Sequence, residues 1–349
     1  AVDRKNDYHV FCTTGAIEAF EIDQANFHFH LLRPRFRFIA YATCLPWMIV
    51  RTHCHLVHST YVPPPWCPAP SVFALHDVSV FEFPHFYHRR HRRVLQWWEG
   101  RGVRRARRII VPTETTARMA ARWFPEAAHR TVVIAYGVGQ ELTPLPSAAA
   151  RKLARDRFGV NAPYAVYVGQ LRTRHKNLLN LLAAFALVKE RLHPQRVNLL
   201  LVGKRSWTTH SLDETIDQLG LRGEVFMPGH VSLGDLAVAL GGAEMLSFPS
   251  CSEGFGFAVT EAMACGTPVV AARATCLPEI VGNAGLLVEP DSPDDIARAM
   301  STLFQDAALR LDLRARGHAR VRSFDWGRTA EQTISLYEEV VRDAAGSRG

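Results

Sequence analysis

The chain has 349 residues, enough for two α/β domains with separate cores, and its apolar fraction of 48% is ordinary for a globular protein. No apolar run reaches the roughly 18 residues of a membrane-spanning helix; Phe38 to Val50 is shorter and contains a proline. Seven irregularly spaced cysteines argue against a disulfide framework, and with no signal peptide in view they point to the cytoplasm, while the net charge of +8 is concentrated in one arginine-rich stretch.

In chain order, the first half is expected to place strands at His9 to Cys12, His28 to Leu32, Leu56 to His58, Ser71 to His76, Ile109 to Val111 and Thr131 to Ile134. His53, Cys54, His55 and His58 crowd the third strand, but their spacing fits no established zinc pattern, and no metal site is expected there. Between the fourth and fifth strands stand Arg89, Arg90, Arg92, Arg93, Arg101, Arg104, Arg105, Arg107 and Arg108, with Trp97 and Trp98 among them. Such a run is either a solvated helix face or a patch for anionic lipid. No nucleic-acid motif accompanies it, so nucleic acid is not an expected partner. The half closes on Tyr136-Gly-Val-Gly and a Pro-rich stretch from Leu142, which reads as a linker and sets a boundary near residue 142.

The second half alternates strands and helices more plainly. Strands are expected at Tyr164 to Val168, Val197 to Val202, Glu224 to Met227, Met245 to Phe248, Pro268 to Ala272 and Gly285 to Val288, with helices between them and after Pro293. Asn177 is placed to cap the helix carrying Leu178, Leu181, Leu182, Phe185 and Val188. The pattern is that of a Rossmann-like unit, which binds ligands at the carboxyl ends of its strands.

Two such ends carry chemistry. After the strand ending at Phe248, Glu253 and Glu261 flank the turn Gly254-Phe255-Gly256-Phe257, which opens a helix expected to begin near Phe255. A helix start offers unpaired N–H groups and a positive dipole, and glycines let a diphosphate approach the backbone. A helical rise of about 1.5 Å per residue would set Glu261 roughly 12 Å beyond Glu253, the span from a sugar to the ribose of a nucleotide-sugar. Glu253 could otherwise only complement the dipole and Glu261 be a solvated position, but neither accounts for the Gly-Phe-Gly between them. After the strand ending at Val168 come Gly169, Gln170, Arg172, Arg174, His175 and Lys176, cations that oppose the dipole of the next helix and so suit an anion.

These segments resemble the E-x7-E signature and basic turn of the retaining glycosyltransferases of the GT-B fold, the group 1 or family-four kind. The resemblance runs from Tyr164 to about Tyr337 and more loosely through the first half. It implies an α/β molecule of two Rossmann-like domains facing a central cleft: an acceptor-side domain over 1–142, a nucleotide-sugar domain over 143–325, and a helix over 326–349 crossing back to the first. It implies transfer of a hexose, mannose among the candidates, from a UDP or GDP sugar to a glycan or lipid-linked acceptor, with neither metal nor other cofactor.

The same resemblance implies the residue roles. Glu253 sits beside the donor sugar and leaving phosphate, and Lys176 with Arg172 or Arg174 grips the diphosphate. Gly169, Gly254, Phe255, Gly256 and Phe257 line the donor, Glu261 takes the ribose hydroxyls, and backbone near Val231 reads the base. His76 lines the cleft near the reaction centre, with Asp77 beside it on the acceptor side. Two departures stand out. Gln170 occupies a position where some members carry Arg, and the chain opens on what resembles the end of the family's first long helix, so the first domain is expected to lack its first strand. The alternatives are a same-fold epimerase or phosphorylase, or a non-catalytic scaffold whose Arg89 to Arg108 segment touches the inner face of a membrane.

Overall fold

The apolar runs are separated by segments long enough to carry the chain back over a sheet, and every described strand pair in the computed structural model is parallel. The structure describes residues 3–13, 22, 24–34, 36–60, 63–64, 66–139, 142, 144–171, 175–205 and 210–346. The chain divides into two compact units, one of Ala1–Ala135 with Gly327–Gly349 and one of Tyr136–Trp326. The break precedes the Pro-rich stretch because Tyr136 already belongs to the second unit, its ring 6.0 Å from that of Trp326.

The first unit holds a small sheet of β1 (Tyr8–Cys12) and β2 (Phe27–Leu31), and a second sheet in the order β3 (Val57–Thr60), β4 (Ser71–Ala74), β5 (Arg108–Val111), β6 (Thr131–Val133). Side chains alternate across the larger sheet. Phe73 and Ile109 join Val103 of the helix Arg89–Arg105 on one face, while Val72 and Ile110 meet Leu336 and Val340 of the helix Trp326–Gly346 on the other. The last helix thus supplies the cover for one sheet face, and burying a leucine such as Leu336 contributes about 2 kcal/mol.

The arginine-rich stretch is that first covering helix. Its Trp98 is buried, whereas Trp97 stays 55% exposed with the Arg101 guanidinium 5.6 Å from its ring centroid. Arg89, Arg90 and Arg93 are solvent-exposed, and Arg108 pairs with Glu339 and Asp343. No helix among the described residues is long and apolar enough to cross a membrane.

The second unit is one six-stranded sheet, β7 (Tyr164–Val168), β8 (Asn198–Val202), β9 (Val225–Gly229), β10 (Met245–Phe248), β11 (Val269–Ala272) and β12 (Gly285–Val288), in the order 12-11-10-7-8-9. The strands run outward in both directions from the β7/β10 junction, so the connections leaving these two neighbours diverge and open a crevice at their carboxyl ends. Buried Val, Leu and Ala fill β7, β8, β10 and β11, as a sheet covered on both faces requires.

Close packing at the carboxyl edge depends on two glycines. Gly169 and Gly203 both have φ of 149°, and a Cβ on Gly203 would sit 1.8 Å from the Gly169 carbonyl oxygen. Gly203→Ala is therefore expected to lower the stability of the second unit by at least about 2 kcal/mol, through backbone strain and overpacking, read as a fall in its calorimetric melting temperature.

Candidate functional site

The turns after β7 and β10 are tied together by hydrogen bonds before any charged group is considered. Asn177 takes a left-handed conformation, φ 58°, and its amide donates to the Pro249 carbonyl at 3.0 Å and the Pro290 carbonyl at 2.6 Å. It holds the N-cap position of the helix Leu178–Leu192 as expected, but its side chain makes no capping hydrogen bond, being engaged by the neighbouring turns. The Cys251 amide donates to the His175 carbonyl at 3.2 Å, and the His175 ring lies 2.9 Å from the Ser252 carbonyl through Nε2.

This lacing brings Lys176 Nζ to 2.5 Å from Glu253 Oε1. Both side chains are mostly buried, at 18% and 14% exposure, so the pair is shielded from bulk screening. Backbone contacts hold Glu253 from the far side. Its N–H donates to Thr275 Oγ1 at 3.0 Å and its carbonyl accepts from the Cys276 thiol at 3.1 Å. Burial, reinforced by the Glu253 charge, pushes the Tyr167 phenol and the Cys276 thiol well above their usual ranges, so both stay neutral beside the carboxylate. Thr275 and Cys276 carry no sequence signal of this role; only the fold places them under Glu253.

The helix expected near Phe255 runs from Phe257 to Ala264, with Gly256 at its N-cap, φ 86°, and no side chain capping it. A Cβ at Gly256 would lie 2.8 Å from Leu277 Cδ2, so the turn admits only glycine. Because the chain between Glu253 and Gly256 is not helical, the 12 Å helical spacing to Glu261 does not hold; Glu261 lies on the second turn of a helix that starts four residues later. Phe255 is 3% exposed, packed against Tyr136 at 5.2 Å and Phe324 at 5.4 Å, which leaves its backbone as the part able to meet a ligand. Phe257 is 43% exposed and stacks on Tyr136 at 5.5 Å.

Glu261 is half-buried, and burial raises its carboxyl pKa. Its carboxylate has no hydrogen-bond or ion-pair partner among the described residues. Gly169 and Gly203 end β7 and β8, and Val231 follows β9 on the edge of the sheet, where the Gly203 N–H donates to the Gly229 carbonyl at 2.9 Å. Arg172 and Arg174 lie outside the described residues.

His76 and Asp77 belong to the first unit, directly beyond β4. Asp77 Oδ1 accepts the Ser79 N–H at 2.7 Å and the Ser79 hydroxyl, which also lies 2.5 Å from the Tyr87 hydroxyl. Burial lowers the His76 pKa, against a weaker upward pull from Asp77. The second unit thus brings Lys176, Glu253, Gly254, Gly256 and Glu261 to one set of strand ends, an ammonium and a dipole for an anion beside carboxylates able to accept hydroxyls.

Residues 151–320 match the glycosyl transferases group 1, and residues 1–141 match glycosyltransferase family 4. The chain is 30% identical over 268 residues to the O-antigen chain mannosyltransferase B of Escherichia coli, spanning 77% of this chain and 70% of that protein. It is 32% identical over 264 residues to a D-inositol 3-phosphate glycosyltransferase of Kineococcus radiotolerans, of whose length it spans 60%. Among solved structures it is similar to sucrose-phosphate synthase of Thermosynechococcus elongatus, with a TM-score of 0.81 at 23% identity over 96% of this chain and 89% of that one. It also resembles HepE of Anabaena in complex with UDP and glucose, with a TM-score of 0.73 at 21% identity over 95% of this chain and 91% of that one.

Removing one member of the Lys176–Glu253 pair leaves the other charge mostly buried and unpaired. Lys176→Met and Glu253→Gln are each expected to destabilise by about 2–4 kcal/mol, and the double variant by clearly less than the sum, measured in a double-mutant cycle of thermal or denaturant unfolding.

Proposed function

The chain belongs to the group 1 glycosyltransferases of the GT-B fold, and we propose that it moves a hexose from a nucleoside diphosphate sugar to a glycan or lipid-linked hydroxyl with retention of configuration. The observation that carries the reading is the Lys176–Glu253 pair at the sheet's switch point, beside an uncapped helix start. A donor diphosphate competes for the Lys176 ammonium and draws on the N–H groups that open the helix Phe257–Ala264. Glu253, released from that partner but held through its backbone by Thr275 and Cys276, is then free to accept hydroxyls of the donor sugar. The Glu261 carboxylate, without a partner among the described residues, suits the ribose diol.

In the proposed step the acceptor oxygen bonds to the anomeric carbon on the face from which phosphate departs. The anomeric carbon–oxygen bond breaks, the diphosphate leaves with the electron pair, and its oxygen takes the acceptor's proton. No separate protein base is needed, and the charge that develops falls on Lys176 and the helix dipole. His76 and Asp77 of the first unit are proposed to serve the transfer as polar groups, Asp77 on the acceptor's behalf. Relatives named mannosyltransferases make mannose the first sugar to assay, and the UDP carried by the HepE structures makes UDP the first nucleotide.

With a working donor and acceptor, Lys176→Ala and Glu253→Gln are expected to lower kcat for transfer by about 100-fold or more, and Glu261→Ala to act mainly by raising the donor KM about 10-fold. Unchanged transfer in both of the first two variants would end the reading. Product analysis separates transfer from epimerisation and phosphorolysis.

A second observation favours peripheral contact with an anionic membrane, at the cytoplasmic face. The first unit exposes Phe36 at 72%, Trp47 at 55% and Val50 at 56%, and the helix Arg89–Arg105 presents exposed Arg89, Arg90 and Arg93. Sedimentation with phosphatidylserine liposomes is expected to fall as salt rises and to be lost in the triple Arg→Glu variant of those arginines. Equal sedimentation with neutral liposomes would exclude the electrostatic contact.

A further inference from the structure

The helix Arg89–Arg105 carries a single acidic side chain, Glu99, and its Oε2 is buried without a hydrogen-bond partner. Glu99 shares a cavity of about 20 Å3 with His76 and Asp77 as the chain leaves β4; Phe73, Ala74 and Leu75 complete the walls. That volume accommodates one water molecule. Asp77 is engaged on one side only. Its Oδ1 takes both Ser79 donors, while Oδ2 has no partner among the described residues.

Two carboxylates around so small a space cannot both ionise at low cost. Burial first, and the Asp77 charge second, push Glu99 up to about 8. The His76 pKa is lowered by burial, burial first and His76 second lower that of His58 in β3, Tyr87 reaches Asp77 through Ser79, and Arg92, whose Nε is buried without a partner among the described residues, lies two turns earlier on the same helix. A buried acid with one open acceptor opposite it and room for a water has a simple resolution.

Resting on the proposed role of His76 in transfer, we propose that Glu99 is a positioning residue for His76. As a carboxylic acid, Glu99 donates through one water to the open oxygen of Asp77 and so fixes the turn that orients His76. Ionisation of Glu99 removes that donor, sets two negative charges against one another and loosens the turn. The arrangement has a defined pH signature. A carboxyl whose folded pKa is raised above its unfolded value of about 4.5 binds more protons folded than unfolded up to about pH 8, so stability falls as pH rises through that window and levels off above it.

The test uses the full chain as wild type, Glu99→Gln and Glu99→Leu, with melting temperatures followed from about pH 5 to about pH 9 and the His76 imidazole followed by NMR. Glutamine keeps a donor at the same place and does not titrate. The expected result is a melting temperature that declines across the window in wild type relative to Glu99→Gln, with His76 resonances retained in Glu99→Gln and displaced in Glu99→Leu. Parallel melting curves for wild type and Glu99→Gln, or an unmoved His76 signal in Glu99→Leu, would overturn the proposal. Neither readout needs a donor or an acceptor, so failure of the transfer reading and failure of this one are distinguishable.

Discussion

The reversal of strand order between β7 and β10 is the constraint on which the site depends. Neighbouring parallel strands whose connections leave in opposite directions cannot close the space beyond their carboxyl ends, and the chain there must satisfy its polar groups within two turns. Asn177, His175 and Cys251 do this by bonding one turn to the other. Lys176 and Glu253 are adjacent because those bonds fix the register between two segments far apart in sequence. The Gly169–Gly203 contact does the same for the next pair of strand ends, where any side chain would force β7 and β8 apart.

The acids of the second unit are satisfied to different degrees, and the difference separates structure from chemistry. Glu244 precedes β10 at the opposite end of the same sheet, is 5% exposed, and receives Arg151 and Arg310, each at 2.9 Å. Two cations for one buried carboxylate leave little capacity for a ligand; this is a clasp between helices and sheet. Among the described residues Glu253 has one cation and Glu261 has no partner. A half-buried carboxylate left without a partner costs stability, which a fold tolerates where a ligand completes the pairing.

Much of this was legible in the sequence where local pattern and tertiary role coincide. The strands of the second unit fall within a residue or two of the expected positions because fully buried parallel strands are short apolar runs bounded by glycine, proline and polar turns. Lys176 could be singled out because a cation ahead of a helix start opposes the dipole, and the two glutamates because neither dipole complementation nor solvation accounts for the Gly-Phe-Gly between them. What was not legible depends on long-range contact. Asn177 holds the N-cap position, but only the fold shows that its amide turns to Pro249 and Pro290, or that the Phe255 ring is seated against Tyr136 and Phe324. Glu99 is invisible among arginines, since a helix period does not reveal that one acidic side chain faces a pocket closed by a different strand. The compact division falls between Ala135 and Tyr136, which no local pattern marks, and the Pro-rich stretch lies within the second unit.

The site's rigidity and its readiness to exchange partners come from different parts of the same residues. Glu253 is held by its backbone, through Thr275 and Cys276, and the helix start beyond it is seated by Phe255 in an aromatic group with Tyr136 and Phe324. None of these contacts uses the Glu253 carboxylate or the Lys176 ammonium. A ligand that replaces the ion pair therefore has to move two side-chain termini and no backbone, so the dipole and the glycine turn stay aimed while the charges change partners. Electrostatic stabilisation of a departing diphosphate is effective to the extent that its donors need no reorganisation, and a scaffold fixed independently of the charged groups meets that condition. On the proposed function, leaving the charges unpaired in the resting protein would meet it at a far higher cost in stability, which gives a physical reason for Lys176 and Glu253 to hold one another before an anion binds.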